Sequence, residues 1–130
     1  KEKDNMQLFV LTNTTPVLSL FRPAHGAIQL AFSLKEKRYG VLIQTQENEN
    51  VTAVLAGTVV HVNYEIDNTY TIMVQHANYL SVYKNMTKTL KAVGDKVQAG
   101  ETLAIMGELP LWFELWQDGQ PVNPEEVIAF

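Results

Sequence analysis

The chain has 130 residues, 46% of them hydrophobic and 18% charged, which is the composition of a single globular domain rather than of a disordered segment. Ten basic and fourteen acidic residues give a net charge of −4 without a long run of either sign. This balance disfavours binding of duplex nucleic acid, which needs a concentrated basic face, and we expect no nucleic-acid partner. The absence of cysteine excludes a disulfide framework, a thiolate zinc site and a cysteine nucleophile. No apolar run approaches the roughly 20 residues of a membrane-spanning helix, so we predict no membrane span in this chain.

Strand patterns dominate the first half of the chain. The short apolar run MQLFVL at 6–11 comes first, and Pro16 and the RPAHG cluster at 22–26 break the chain after it. AIQLAF then alternates with a period of two residues, and YGVLIQT is a strand bounded by the polar QENEN at 46–50. VTAVLAGTVVHVNYEI holds two strands with a bend or bulge at Gly57.

The second half continues in the same way. Asp67 and Asn68 turn the chain into TYTIMVQH, HAN turns it into YLSVYKN, and Gly-Asp and Ala-Gly turns surround short strands in AVGDKVQAGETLAIMG. MTKTLKA at 86–92 predicts a turn or two of helix, and NPEEVIAF at 123–130 predicts a short helix with an Asn N-cap and Pro at its first position. The sequence therefore predicts an all-β sandwich or partly open barrel with little helix.

Taken in order, these segments resemble the motifs of the LytM-type M23 peptidases, zinc endopeptidases that cut peptide cross-links of bacterial cell walls. RPAHGAIQLAF is similar to the first strand, RYGVLI to the His-x-Gly-x-Asp strand and VTAVLAGTVV to the Val-x-Ala-x-x-x-Gly-x-Val hairpin. IMVQHANYLSVYKN is similar to the strand pair ending Tyr-x-His, and VGDKVQAGETLAIMG to the Val-x-x-Gly-Asp-x-Val turn set. PLWFELWQDGQPVNP is similar to His-x-His-Phe-Glu followed by Gly-x-Pro-Val-x-Pro. The resemblance implies a LytM/M23-like β-sheet groove, related to the barrel-sandwich hybrid, in a domain over 21–130, with 1–20 as a lead-in segment carrying a strand.

The resemblance also implies where a zinc site would lie, and this chain departs from the family pattern at every position. Active members bind zinc through one His and one Asp of the first motif and the second His of the last motif, with two further histidines assisting. The corresponding residues here are Arg38, Leu42, Asn85, Pro110 and Trp112. The chain has three histidines, whereas the family site needs four. Because a cation and an aliphatic side chain cannot donate to Zn²⁺, we expect a catalytically inactive domain with no metal and no cofactor.

The replaced positions and their neighbours define a hypothetical binding groove, made of Arg38, Leu42, Tyr83, Asn85, Trp112 and Glu114. Trp112 would lie on the groove floor, where it either fills the vacated metal cavity together with Leu42 or stacks against a ligand. Trp116, four residues on, would face the same side of a strand. Two tryptophans on one face are consistent with a carbohydrate or peptide platform, and equally with a core.

The other groove residues also have two interpretations each. In a regular strand Arg38 and Tyr39 would point to opposite faces, and Arg38 could then clamp a carboxylate of a stem peptide or of a protein partner. The alternative is a salt bridge between Arg38 and Glu114. Tyr83 and Asn85 could donate hydrogen bonds at the groove rim, although a polar residue that ends a strand usually makes a turn.

The resemblance implies a binding or regulatory module of the bacterial periplasm or extracytoplasmic envelope, because degenerate family members regulate cell-wall amidases or scaffold envelope complexes. Its partner would be a cell-wall hydrolase, another envelope protein or a peptidoglycan peptide. The alternative is a biotinyl/lipoyl-like hybrid-motif adaptor, since VTAVLAGTVVHV and VGDKVQAGETLAIM also resemble the two half-motifs of that family. The hairpin EIDNTY between these halves has no carrier lysine, and the tail WFELWQDGQPVNP has a counterpart only in the peptidase family.

Overall fold

Residues 20–130 are described by a computed structural model, in which ten strands and one turn of 3-10 helix follow one another along the chain. The strands are β1 Ala27–Leu30, β2 Val41–Gln44, β3 Asn50–Thr52, β4 Gly57–Tyr64, β5 Tyr70–His76, β6 Tyr79–Thr89, β7 Lys96–Val97, β8 Thr102–Met106, β9 Leu111–Gln117 and β10 Gln120–Val122. The 3-10 helix is Pro124–Glu126. The prediction of an all-β domain is confirmed, whereas the strand predicted at 6–11 lies outside the described residues.

The ten strands within residues 20–130 form one antiparallel sheet, and five of its nine strand pairings join strands that are not consecutive in sequence. The main order is β1-β2-β9-β6-β5-β4-β7, with β10 paired to β9 and with β8 paired to both β3 and β6. The long strand β6 therefore belongs to two ladders, pairing with β9 up to Lys84 and with β8 from Met86 onwards. Asn85 lies at the join in a left-handed conformation, with φ of 81°, where the register to β5 shifts by one residue. Such a bulge bends its strand, and it directs β6 from one ladder into the other.

The predicted turns are confirmed, and one predicted helix is wrong. Asp67 and Asn68 connect β4 to β5, with Asn68 in the left-handed conformation that asparagine tolerates. The side chain of Asn123 accepts a hydrogen bond from the Glu125 amide at 3.1 Å, so the predicted N-cap begins the short C-terminal helix. The segment at 86–92 is not helical, because its first four residues extend β6, and Met86, Lys88 and Thr89 pair with β8. Pairing with a distant strand overrides the local preference here.

Strict alternation in β9 separates a buried face of the sheet from a partly exposed face. Its odd-numbered residues from Leu111 to Leu115 are completely buried, and the intervening even-numbered residues are partly exposed. The buried face continues across β2 through Val41 and Ile43 and across β6 through Tyr83. These side chains belong to a single hydrophobic core. The opposite face of the same strands is left to carry the candidate site.

A buried histidine–serine pair lies where β5 turns into β6. His76 is 2% exposed and Ser81 is completely buried. The Nδ1 atom of His76 lies 2.9 Å from the carbonyl oxygen of Ala56, and its Nε2 atom lies 2.7 Å from the Ser81 hydroxyl. Because a carbonyl can only accept, Nδ1 carries the proton of the neutral ring and Nε2 accepts from the serine. Desolvation by burial lowers the pKa of His76 below its ordinary value of 6.5.

We expect the free energy of unfolding to decrease as the pH falls below 6.5, because His76 has a lower pKa in the folded chain than in the unfolded chain. Above that pH the ring is neutral in both states and the native contacts contribute fully. Below it the unfolded chain takes up the proton first, which favours unfolding until the pH reaches the folded-state pKa. Urea unfolding of the wild type and of His76→Gln between about pH 7.5 and pH 5 should show a weaker pH dependence in the variant.

The matched control is His61→Gln on β4, since His61 is exposed and its replacement should leave the wild-type pH dependence intact. Carboxylates affect the free energy of unfolding in a lower pH range than His76 does. A hydrogen bond from Thr71 lowers the pKa of Glu65, and one from Lys91 lowers that of Glu101, both from 4.5. Their contributions are lost only below about pH 4.5. Equal pH dependence in His76→Gln and His61→Gln would contradict the attribution of the pH dependence to His76.

Candidate functional site

The candidate site lies on the face of the sheet opposite the core, where β2, β9 and β6 run side by side. Leu42 pairs directly with Trp112, and Trp112 pairs on its other side with Lys84. Directly paired residues of antiparallel strands present their side chains on the same face. We call this surface the groove face and define it by Leu42, Leu80, Val82, Lys84, Trp112, Glu114 and Trp116. The prediction that Leu42 and Trp112 lie together is confirmed.

Two tryptophans and one glutamate form the centre of the groove face. The indole Nε1–H of Trp112 donates to Oε2 of Glu114 at 2.7 Å, and that of Trp116 donates to Oε1 at 2.9 Å. The carboxylate is thus held between two rings, with one indole proton on each oxygen. All three side chains are partly buried. The ring of Tyr39 lies 6.3 Å from that of Trp116 and extends the aromatic surface towards the loop before β2.

Gly40 provides the space that the Trp112 ring occupies. A Cβ atom added at Gly40 would lie 2.7 Å from Cζ2 of Trp112, 2.6 Å from the carbonyl oxygen of Phe113 and 2.9 Å from Cγ of Glu114. Such distances are far inside van der Waals contact, so no other residue fits here without displacing the indole. Trp112 therefore fills the space above Gly40 while part of its surface stays open to solvent.

Arg38 makes its hydrogen bonds in the irregular segment before β2. Its backbone forms an isolated bridge with Ser33, and its guanidinium Nε donates to the carbonyl oxygen of Ala31 at 2.6 Å. The segment before β2 is irregular, so the expectation of opposite faces for Arg38 and Tyr39 does not apply. The alternative of a salt bridge to Glu114 is also wrong, since no ion pair joins the two within residues 20–130.

Tyr83 is not a groove residue, and this corrects the sequence-based assignment. Its side chain is completely buried on the core face, with its ring 5.3 Å from that of Phe113. The backbone N–H of Val54 donates to its hydroxyl at 3.2 Å, and burial raises the pKa of Tyr83 to about 12. Successive residues of a strand point to opposite faces, so Tyr83 faces inward because its neighbour Lys84 faces the groove.

Asn85 has a structural position at the bulge of β6 rather than at the end of a strand. Its side-chain amide donates to the carbonyl oxygen of Pro110 at 2.9 Å and so ties the bend of β6 to the start of β9. The positions implied for the catalytic machinery are therefore brought together in two pairs, Asn85 with Pro110 and Leu42 with Trp112. Arg38 is bonded to neither pair.

The residue types at these positions do not fit zinc, because an aliphatic side chain and an indole offer no lone pair to a metal. Over the part of the chain that the structure describes, no three His, Cys, Asp or Glu side chains are grouped so that they could hold a metal ion. His25 and His61 are exposed in different segments, and His76 is buried against Ser81.

The sequence-based groove omitted several residues that the structure places beside it. Lys84 flanks Trp112, Tyr39 flanks Trp116, and Gly40 supports the Trp112 ring. An open pocket of about 370 Å³ adjoins Trp116 and is lined by Gln75, Ala77, Asn78, Tyr79, Leu80, Trp116, Asp118 and Gly119. The Trp-x-Glu-x-Trp spacing of β9 signals only its own three side chains, which alternation puts on one face, and no signal in the sequence indicated Lys84, Tyr39 or Gly40.

No helix within residues 20–130 has the length and apolar character needed to cross a bilayer.

Comparison with known proteins places the chain in a family. Residues 36–124 match the model of Peptidase family M23. The chain is 29% identical over 93 residues to the murein hydrolase activator EnvC of Escherichia coli (strain K12), a match covering 66% of this chain and 22% of EnvC. The chain thus spans about a fifth of the length of that relative.

Two solved structures share the fold at low sequence identity. Csd3 of Helicobacter pylori superimposes with a TM-score of 0.78 at 20% identity, over 87% of this chain and 34% of Csd3. A zinc-containing peptidase from Vibrio cholerae gives a TM-score of 0.73 at 21% identity, over 86% of this chain and 40% of that protein. The family match spans more than half of the chain, from the loop before RYGVLI to the end of the tail PLWFELWQDGQPVNP. The match includes the tail, which has no counterpart in the biotinyl/lipoyl family. The chain belongs to peptidase family M23.

Proposed function

We propose that this domain is a catalytically inactive member of family M23 that binds a cell-wall hydrolase through its groove face and thereby regulates it. The observation that supports this most directly is the side-by-side placement of Leu42 and Trp112, neither of them able to bind a metal, at two of the positions where the family resemblance puts zinc ligands. The similarity to EnvC, a murein hydrolase activator, supports a regulatory role and a location in the bacterial envelope, in the periplasm.

The groove face has the composition of a protein-binding surface. Tryptophan is enriched among residues that dominate binding free energies, and here two tryptophans flank one carboxylate at the centre of a mixed apolar surface. Leu80 and Val82 continue the apolar surface onto β6, where Val82 is 3% exposed although it points away from the core. Its low exposure shows that the groove face is closely packed at Val82.

A dye-release assay on labelled sacculi tests both parts of this proposal. The domain alone, with zinc in excess, should release no dye, whereas its addition to a panel of purified murein amidases and endopeptidases should raise the release by at least one of them. We expect Trp112→Ala to raise the concentration of domain needed for half-maximal activation by at least about tenfold. A loss of affinity of this size is typical when a central tryptophan is removed from an interface. Zinc-dependent release by the domain alone would contradict catalytic inactivity.

The control variant is Tyr64→Ala, which removes an exposed aromatic residue from β4 outside the groove face. It should activate like the wild type, provided that both variants unfold cooperatively in a denaturation check. Equal activation by Trp112→Ala and the wild type would contradict binding through the groove face.

Direct binding of peptidoglycan is a second candidate, favoured by the open pocket of about 370 Å³ beside Trp116. Co-sedimentation of the domain with sacculi, wild type beside Trp112→Ala, distinguishes it from hydrolase binding. Pelleting that the substitution abolishes supports a cell-wall ligand on the groove face. Hydrolase activation without pelleting leaves a protein partner as the ligand.

A further inference from the structure

The Trp112–Glu114–Trp116 cluster has the chemistry of a receptor for a cation. A carboxylate offers about four lone-pair sites, and the two indole protons use one site on each oxygen. Both oxygens therefore keep accepting capacity. The two hydrogen bonds also hold the carboxylate in one orientation before any ligand binds, which reduces the entropy lost on binding.

Within residues 20–130, the cationic side chains make their contacts away from that carboxylate. No lysine, arginine or histidine within residues 20–130 forms an ion pair with Glu114. Lys84 flanks Trp112 but forms no ion pair with Glu114. The guanidinium of Arg38 is held at Nε by the carbonyl oxygen of Ala31.

The aromatic walls add to the attraction. Electron-rich faces of tryptophan and tyrosine bind cations, and a planar guanidinium stacks on them better than a compact ammonium does. The Trp112 and Trp116 rings lie on either side of Glu114, and Tyr39 continues the aromatic surface beyond Trp116. A guanidinium bound to the Glu114 carboxylate would therefore lie close to the indole groups that donate to it.

We propose that the groove face is a docking site for an arginine side chain of the partner protein, with the guanidinium bound by the Glu114 carboxylate between Trp112 and Trp116. This assignment rests on the proposed function for the identity of the partner as a protein. The charge complementarity between a preorganised carboxylate and a cation selects the ligand class. Arginine is favoured over lysine because its planar group fits both the carboxylate and the rings.

The test observes the indole resonances directly. The chain has two tryptophans, so an ¹⁵N-labelled sample gives two indole N–H signals, and both protons are bonded to the proposed ligand-binding carboxylate. Titration with Nα-acetyl-arginine methylamide should shift both signals saturably. The neutral isostere Nα-acetyl-citrulline methylamide should bind at least about tenfold more weakly, since charge-assisted hydrogen bonds are the stronger ones.

Glu114→Gln should reduce the affinity for the arginine probe at least about tenfold while its amide oxygen still accepts from an indole. Glu125→Gln removes the same charge from an exposed position of the C-terminal helix and should leave the titration unchanged. The assignment is overturned if the arginine probe shifts neither signal or if the citrulline probe binds as tightly as the arginine probe. It is also overturned if the corresponding lysine compound, Nα-acetyl-lysine methylamide, binds more tightly than the arginine probe.

Failure of this proposal is distinguishable from failure of the proposed function. If the arginine probe does not bind but Trp112→Ala still weakens hydrolase activation, the arginine site is wrong and the regulatory role stands. If the probe binds at Glu114 but no hydrolase is activated, the regulatory role is wrong and the cation site stands. A soluble stem peptide that competes with the probe for the same two signals would assign the cation to the cell wall and overturn the protein partner.

Discussion

Tyr83→Ala is expected to lower the free energy of unfolding by about 3–5 kcal/mol, the range for removing a large aromatic side chain from a core. The ring is completely buried and packs on Phe113 at a centroid distance of 5.3 Å. Its loss leaves a cavity between β5, β6 and β9, and it leaves the N–H of Val54 without the hydroxyl that accepts from it. Guanidinium unfolding followed by far-UV circular dichroism measures the change.

Two further tyrosine variants separate the causes. Tyr83→Phe keeps the ring and removes the hydroxyl, so we expect a loss of about 1–3 kcal/mol from the unpaired amide. Tyr64→Ala removes the same residue type from a position that is 57% exposed, and it should cost less than about 1 kcal/mol. Tyr83→Phe should also keep full hydrolase activation, because its hydroxyl faces the core. A Tyr83→Ala loss no larger than that of Tyr64→Ala would contradict the burial of this side chain.

Gly40→Ala is expected to cost about 2–3 kcal/mol and to change the surroundings of Trp112 at the same time. The new Cβ atom would lie 2.6 Å from the carbonyl oxygen of Phe113, which is a backbone atom and cannot move freely. It would also lie 2.7 Å from Cζ2 of Trp112, so the indole has to rotate away from β2. Chemical denaturation measures the stability, and native-state tryptophan fluorescence reports the displacement.

Gly94→Ala is the control, since a Cβ atom at Gly94 would meet no atom of residues 20–130 within 4 Å. Gly94 has a left-handed backbone with φ of +97°, which costs an alanine about 1–2 kcal/mol. The Gly94→Ala substitution should lower the stability by that amount and leave the fluorescence of the folded protein unchanged. If Gly40→Ala also leaves the fluorescence unchanged, the contact between Gly40 and the Trp112 ring is not present in solution. The Gly40→Ala variant should then share the binding properties of the wild type.

The candidate site was partly accessible from sequence because β9 alternates without interruption. Trp112, Glu114 and Trp116 are two residues apart, and period-two geometry places them on one face whatever the strand pairs with. Their mutual hydrogen bonds were not predicted, because the strand pattern does not specify side-chain rotamers. The sequence also did not predict that Gly40 leaves room for the Trp112 ring, because the missing Cβ matters only where β2 lies beside β9.

The sequence by itself determined the all-β class, the positions of the hairpin turns, the N-cap at Asn123 and the family. Each of these depends on residues that are close together in the chain or on the order of motifs along it. Only the tertiary structure decided that Tyr83 faces the core, that the residues from Met86 to Thr89 form a strand, and that Arg38 binds Ala31 rather than Glu114. The physical reason is that pairing with distant strands determines which face of a strand is buried and which partner a polar side chain meets.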